Sequence, residues 1–428
     1  MGLFIISTVL LGVMIAEKLI FLQIEPLILK HLSTVTPFLV LIMLFVVGIL
    51  SFAFKKKIQK RPSETTKLSR IGILALVITL FIVSVSFYLN YQKTSLGWDA
   101  VALYDARAKY LKEGIKFSEM NSLSKYDTQN GYYYSLYPPF TSIAHFLWSG
   151  LFRALPIGLF YWLIYLLFGL VVFLATKEDL GVNLSTVLVF ATLSNNTIFE
   201  SSLVEYTNLP YSLYILLGVF LLMSYLKTKE TWKLLFGVGL VISSQWIRFL
   251  EPLWISAAVA YAIACYSDKK LRRGLIFSGG FLLFGLIEFL SWSYFVNQMA
   301  KSPQIIAIDF LKVSEPIIGT FTGTMLKIFI FFVKSWGIIL LVYIGSLLVD
   351  LKKSMRIPQI LFLKVFITGC IFIYFAGLYF VSFQSDWWDE LGNSLVRSST
   401  FLIPISGYLL LSYLFKDRYS RHETNKTK

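Results

Sequence analysis

Long uninterrupted apolar runs dominate the chain, and polar residues gather in the short stretches between them. Runs of roughly 16–25 apolar residues are long enough for a helix to cross the hydrocarbon of a bilayer. They fall near 2–22, 36–54, 71–90, 155–175, 183–199, 209–226, 234–250, 252–266, 274–293, 325–349, 358–380 and 399–415. The pattern predicts an all-α integral membrane protein, a polytopic bundle of about 12 transmembrane helices. One further stretch, PFTSIAHFLWSGLF at 139–152, has the length of a re-entrant or interfacial helix rather than of a full span.

The polar stretches set the orientation. With 139–152 dipping into one leaflet and returning, a series of basic segments falls on one side. These are KKKIQKRPSETTKLSR (55–70), the Lys177 turn, KTKETWK (227–233), DKKLRR (268–273), LKKSMR (351–356) with Lys364, and the tail KDRYSRHETNKTK. They hold 24 of the 39 Lys and Arg residues, so that side is expected to be cytoplasmic. A full crossing at 139–152 would invert every later loop and destroy the asymmetry. Both termini are then expected inside, while loops 91–138, 294–324 and 382–398 face out and carry any chemistry. The organisation that follows is a two-helix N-terminal addition over 1–54, a basic loop over 55–70, a membrane module over 71–415 and a tail over 416–428.

Composition agrees with this picture. The chain is 57% hydrophobic and 15% charged, with a mean hydropathy of +0.70, outside the soluble globular range. Its net charge of +15 does not point to nucleic acid, because the cations sit at loop ends and not on one exposed face. Cys265 and Cys370 lie in apolar segments without CxxC spacing, which indicates neither a disulfide framework nor a thiolate metal site. The first apolar run carries Glu17 and Lys18, has no basic leader and shows no small-residue cleavage site. It reads as a retained transmembrane helix.

The unusual segment is the first external loop, GWDAVALYDARAKYLKEG from residue 97, followed by a tyrosine-rich stretch that ends in YSLYPPF at 134–140. A helix from Asp99 to Gly114 puts Val101, Tyr104, Ala108 and Leu111 on one stripe and Asp105, Lys109, Lys112 and Lys116 on the next. Asp99 suits an N-cap, Asp105 and Lys109 an i,i+4 pair, and the lysines an interfacial helix whose cations reach headgroups. The same carboxylates suit catalysis, and the helix alone does not choose.

The run Trp98, Asp99, Ala100, Leu103, Tyr104, Arg107, Ala108, Lys109, Tyr110 and Leu111, followed by Tyr137, Pro138 and Pro139, resembles a known loop. It is similar to the first external loop of GT-C membrane glycosyltransferases, in the branch related to protein O-mannosyltransferases. GVGLVISSQWIRFLEPLW at 237–254 is similar to that family's hairpin in which an Arg is closely followed by Glu, here Arg248 and Glu251. VEYTNLPYSLYILL at 204–217 resembles a segment that carries Asp where this chain has Asn208, with Glu205 three residues earlier. The resemblance covers about 71–415. It implies a GT-C-like fold, a polyprenyl-phosphate-linked sugar as donor, and a glycan, lipid or protein of the cell envelope as acceptor. It also allows a divalent cation, Mg or Mn, with Asp99 and Asp105 as the candidate ligands. Asn208 departs from the pattern, since an amide coordinates a metal weakly and cannot act as a base.

Transfer from a lipid-phosphate sugar needs no general acid, because the phosphate leaves without a proton. It needs a carboxylate to take the acceptor's proton, fixed cations for the departing phosphate, and an apolar groove in which each buried methylene contributes about 0.8 kcal/mol. Asp99 is the expected base, with Asp105 second. Arg248, Arg397 and Lys109 are the expected phosphate-binding cations, and Glu251, Glu205, Asn208, Tyr137 and the intramembrane Glu288 complete the candidate set. Each has a plain counterpart. Arg248 and Glu251 pair with each other; Arg397 and Lys109 anchor to headgroups; Glu205 is a solvated loop residue; the tyrosines form an interfacial belt; and His145 is a satisfied polar group. The inverting glycosyltransferase competes with a transporter or lipid-linked-sugar flippase, and with an inactive scaffold on the same fold. A transporter concentrates polar residues and broken helices at the membrane midplane, whereas here the acids lie in outer loops and helix ends.

Overall fold

The computed structural model describes residues 2–24, 68–93, 96–97, 100–117, 119–120, 137–249, 251–268, 270–299, 325–349, 357–382 and 394–415. Every regular element among them is helical. In chain order they are α1 (Gly2–Ile24), α2 (Arg70–Gln92), a π turn (Ala100–Asp105), α3 (Ala106–Lys112), α4 (Phe140–Leu151), α5 (Gly158–Leu193) and α6 (Asn196–Ser202). Then come α7 (Asn208–Thr228), α8 (Thr231–Ser243), a 3₁₀ turn (Ser244–Trp246), α9 (Leu253–Ser267) and α10 (Leu271–Met299). The last are α11 (Met325–Trp336), α12 (Ile338–Leu348), α13 (Pro358–Ser382) and α14 (Leu402–Leu414).

Helices α1, α2, α5, α7, α10 and α13 are long and apolar enough to cross a membrane. An apolar segment in lipid must satisfy its backbone internally, which a helix does. The span expected over 36–54 lies outside the described residues. Elsewhere the apolar runs are cut shorter than their hydropathy suggests. The run at 325–349, read as one span, is two helices meeting at 104° about Gly337, whose φ of +51° an L side chain rarely adopts. The runs at 155–175 and 183–199 are the two arms of α5, which meet at Gly181, where φ of +75° and ψ of 167° are not helical. That chain then stops at Leu193 and restarts as α6, whose N-cap Asn195 accepts from the Thr197 and Ile198 amides. Helices α8 and α14 have 13 residues each and α9 has 15. At about 1.5 Å per residue the shorter two reach about 20 Å, against a hydrocarbon core of about 30 Å.

Helix α7 is the centre of the bundle, buried along nearly its whole length, as expected of a helix that is apolar on all sides. It meets α8 through a glycine pair: a Cβ on Gly218 would stand 3.0 Å from the Gly237 carbonyl, and the reverse holds at 3.0 Å. Small residues at that crossing let the two backbones touch. Helix α2 lies at the other extreme. Ser69 caps it by accepting from the Gly72 amide, and Phe81, 67% exposed, heads an apolar outer face suited to lipid. Residues 2–24 are no appendage: Leu11, Met14 and Phe21 of α1 are core residues, packed among α4, α5, α7 and α8.

The first loop is not one helix from Asp99 to Gly114. A π turn runs to Asp105 before α3 begins, and Gly114 at φ +77° ends it. A π turn places an extra residue per turn, which rotates the inward face. Val101 is therefore 48% exposed, while Ala100, Leu103, Tyr104, Arg107, Ala108 and Leu111 point inward. Helix α4, at 12 residues about 18 Å long, is too short to span. Tyr137, Pro138 and Pro139 lead into it, and a proline at a helix start gives up an amide that would have no partner there.

Candidate functional site

At the end of the bundle that carries the first loop, the chain leaves the helix between α8 and α9 and buries an arginine in the gap. Arg248 donates from Nε to both Glu251 carboxylate oxygens at 3.0 and 3.1 Å, and from Nη2 to Oε1 at 2.6 Å. Its Nη1 edge donates to neutral oxygens: Asn208 Oδ1 at 2.7 Å, Thr207 Oγ1 at 3.2 Å and Ser394 Oγ at 3.4 Å. Burial works against the guanidinium's charge, but the Glu251 carboxylate outweighs it and holds Arg248 above its ordinary value. Ser398 also donates to Glu251 Oε1 at 3.4 Å.

Asn208 now has a physical explanation. A carboxylate there would set two acids against one guanidinium, whereas the amide keeps the hydrogen bond without the second charge. Tyr104 from the π turn closes the cluster through a hydrogen bond with Thr207. Burial first, and then Tyr137, push its phenol well above the ordinary range, so it is a neutral donor. Arg107 fastens the loop by donating from Nη1 to the Tyr137 carbonyl at 3.0 Å and stacking 4.6 Å over Phe117.

Asp99 lies outside the described residues, but the chain on its N-terminal side is held. Glu205 is fully buried, not the solvated loop residue its sequence context indicates. Its oxygens accept from Lys93 Nζ at 2.7 and 2.9 Å and from the Gly97 amide at 3.3 Å. Lys93 also donates to the Leu203 carbonyl. A Cβ on Gly97 would meet the Tyr206 hydroxyl at 3.0 Å, and the Arg397 guanidinium sits 5.3 Å over the Tyr206 ring. Glu205→Gln is expected to lower stability by about 3 kcal/mol, because it strands Lys93 beside a buried amide. A melting curve unchanged from wild type would contradict this.

Three candidates stand apart from the cluster. Asp105 pairs with Lys109 at 2.9 Å, and Lys109 is 69% exposed, so both follow the plain helix-pair reading. Glu288 is held by Lys18 in a buried ion pair, and Lys18 lies 5.0 Å from the Trp246 ring. Among the described residues no three His, Cys, Asp or Glu side chains group as metal ligands. Cys265 and Cys370 are buried free thiols. Sequence reasoning missed Thr207, Ser394, Ser398 and Lys93. Hydroxyls and a lone lysine at helix ends carry no periodic signal, and only the folded chain brings them together.

His145 is buried, with Nε2 3.1 Å from the Tyr161 hydroxyl. Burial holds its imidazole down to about 4, with the Asp105 carboxylate pulling the other way. Between that value and the ordinary 6.5 the unfolded chain binds the extra proton, so stability present above pH 6.5 is lost as the pH falls toward 4. The loss amounts to at most about 3 kcal/mol. His145→Asn is expected to flatten it, read as melting midpoints by tryptophan fluorescence across that window; an unchanged slope would assign the pH dependence elsewhere.

No family model matches the chain, and neither a curated protein nor a solved structure matches it significantly.

Proposed function

We propose that the protein is an integral-membrane inverting glycosyltransferase of the GT-C type. In this reading it moves a sugar from a polyprenyl-phosphate donor to a cell-envelope glycan, lipid or protein, at the outer face of a bacterial cytoplasmic membrane with both termini inside. The observation that supports it is convergence. Arg248, Glu251 and Asn208, singled out by the resemblance, meet Tyr104 of the first loop and Ser394 before the last helix, while Arg397 stacks beside the entry to that loop.

The cluster suits phosphate departure. Glu251 holds one edge of the Arg248 fork, and among the described residues the Nη1 edge faces neutral oxygens, which a phosphate can displace. Arg397 adds a second cation, stacked on Tyr206 and without a carboxylate beside it among the described residues. Asp99 then takes the acceptor proton as its oxygen attacks the anomeric carbon, and the lipid phosphate leaves as an anion.

The test is reconstitution of the full chain in liposomes with a labelled polyprenyl-phosphate sugar and candidate acceptors. Sugar transfer, or slow hydrolysis with release of lipid phosphate, is expected. Donor movement across the bilayer without either reaction would favour the flippase. Neither transfer, hydrolysis nor movement with any donor would favour the inactive scaffold.

A further inference from the structure

A second polar region lies next to the cluster, between α1, α4, α5 and α7, and sugar transfer makes no use of it. Glu17 of α1 is 1% exposed, and its Oε2 has no hydrogen-bond partner among the described residues. No described cation pairs with it, since the neighbouring Lys18 is committed to Glu288. Glu17 acts electrostatically on Tyr161 of α5 and Tyr214 of α7, which places its carboxyl near both. The start of α4 meets the same two tyrosines: His145 Nε2 is 3.1 Å from the Tyr161 hydroxyl, and Phe140 packs edge-on against Tyr214 at 5.9 Å. There Thr141 Oγ1, Ser142 Oγ and His145 Nδ1 are buried and also without partners.

A buried polar atom left unpaired is costly, and native proteins meet such needs with ordered water where several polar groups converge. An ionised carboxylate in the same place would cost far more, and such a group takes up a proton instead. The surrounding charges do not relieve it. Lys18 is neutralised by Glu288, Lys93 by Glu205 and Lys109 by Asp105. Arg107 donates to the Tyr137 carbonyl and stacks on the Phe117 ring, which separates it from Phe21 of α1. His145, the two tyrosines and Tyr104, whose ring meets His145 at 6.4 Å, are the other described titratable neighbours. We propose that Glu17, Thr141, Ser142 and His145 enclose a hydrated site inside the bundle, at which Glu17 carries an exchangeable proton. Exchange is balanced: the carboxyl gives its proton to a site water and takes one back from it, with no net charge left behind. The inference does not depend on the sugar-transfer reading.

Infrared spectroscopy of the full-length protein in lipid nanodiscs tests this. A protonated-carboxyl band is expected at neutral pH, shifted to lower frequency after equilibration in D₂O and lost in Glu17→Gln. A wild-type spectrum without such a band, or with a band that D₂O leaves in place, overturns the proposal, as does a band that survives in folded Glu17→Gln. Should that variant not fold, Glu17→Asp is expected to keep the band at a displaced frequency, and an unmoved band there is equally fatal.

Discussion

Asp99→Asn is expected to bind the lipid-phosphate sugar as the wild type does and to transfer it about 10²–10⁴-fold more slowly, the range for loss of a positioned general base. The amide keeps the shape of the side chain and removes only its capacity to take a proton. The described residues on either side have anchors of their own: Gly97 donates to Glu205 and packs against Tyr206, and Ala100 is fully buried. Binding and chemistry should therefore separate, with donor affinity retained and single-turnover transfer slowed. Asp105→Asn serves as the contrast. Its carboxylate already neutralises Lys109 at the surface, so a smaller loss is expected. Equal turnover by Asp99→Asn and wild type would remove the assigned base, and a large loss confined to Asp105→Asn would transfer the role.

The apolar runs were legible because hydropathy over a window of about 20 residues is a sum, insensitive to any one position. What the runs hide is where single residues break them. Gly337 interrupts the apolar run at 325–349 with a backbone conformation that composition does not record, so length alone overstated that span, whereas the break at Gly181 falls between two runs that hydropathy already separates. The π turn at Ala100–Asp105 defeated the periodicity reading for a related reason, since a 3.6-residue template assigns Val101 inward and the wider turn does not. Within the site, Arg248 and Glu251 were visible as charges too close to an apolar segment to be casual. Of their partners Asn208 was visible only through the resemblance, while Thr207 and Ser394 were not, being ordinary polar residues far away in sequence. Glu288 shows the same limit from the other side: its isolation in sequence marked it, while its partner Lys18 sits on the first helix of the chain.

Arg248→Met is expected to destabilise the protein by roughly 3–5 kcal/mol, because it leaves the Glu251 carboxylate buried with, among the described residues, only Ser398 to donate to it. Arg248→Lys should recover part of this. A single ammonium supplies charge but not the fork that meets Glu251 on one edge and Asn208 on the other. The double variant Arg248→Met with Glu251→Leu should recover most of the melting temperature, since replacing a whole buried pair by apolar groups is often neutral. The pair's structural and functional roles then come apart. If Arg248 serves only the fold, the double variant binds the polyprenyl-phosphate sugar as the wild type does, and the phosphate assignment is lost. If its Nη1 edge receives the phosphate, the double variant is folded yet has lost donor affinity. Arg397 is not expected to substitute, because its guanidinium is stacked on the Tyr206 ring and, among the described residues, lies outside the hydrogen-bond network that Arg248 makes with Glu251 and Asn208.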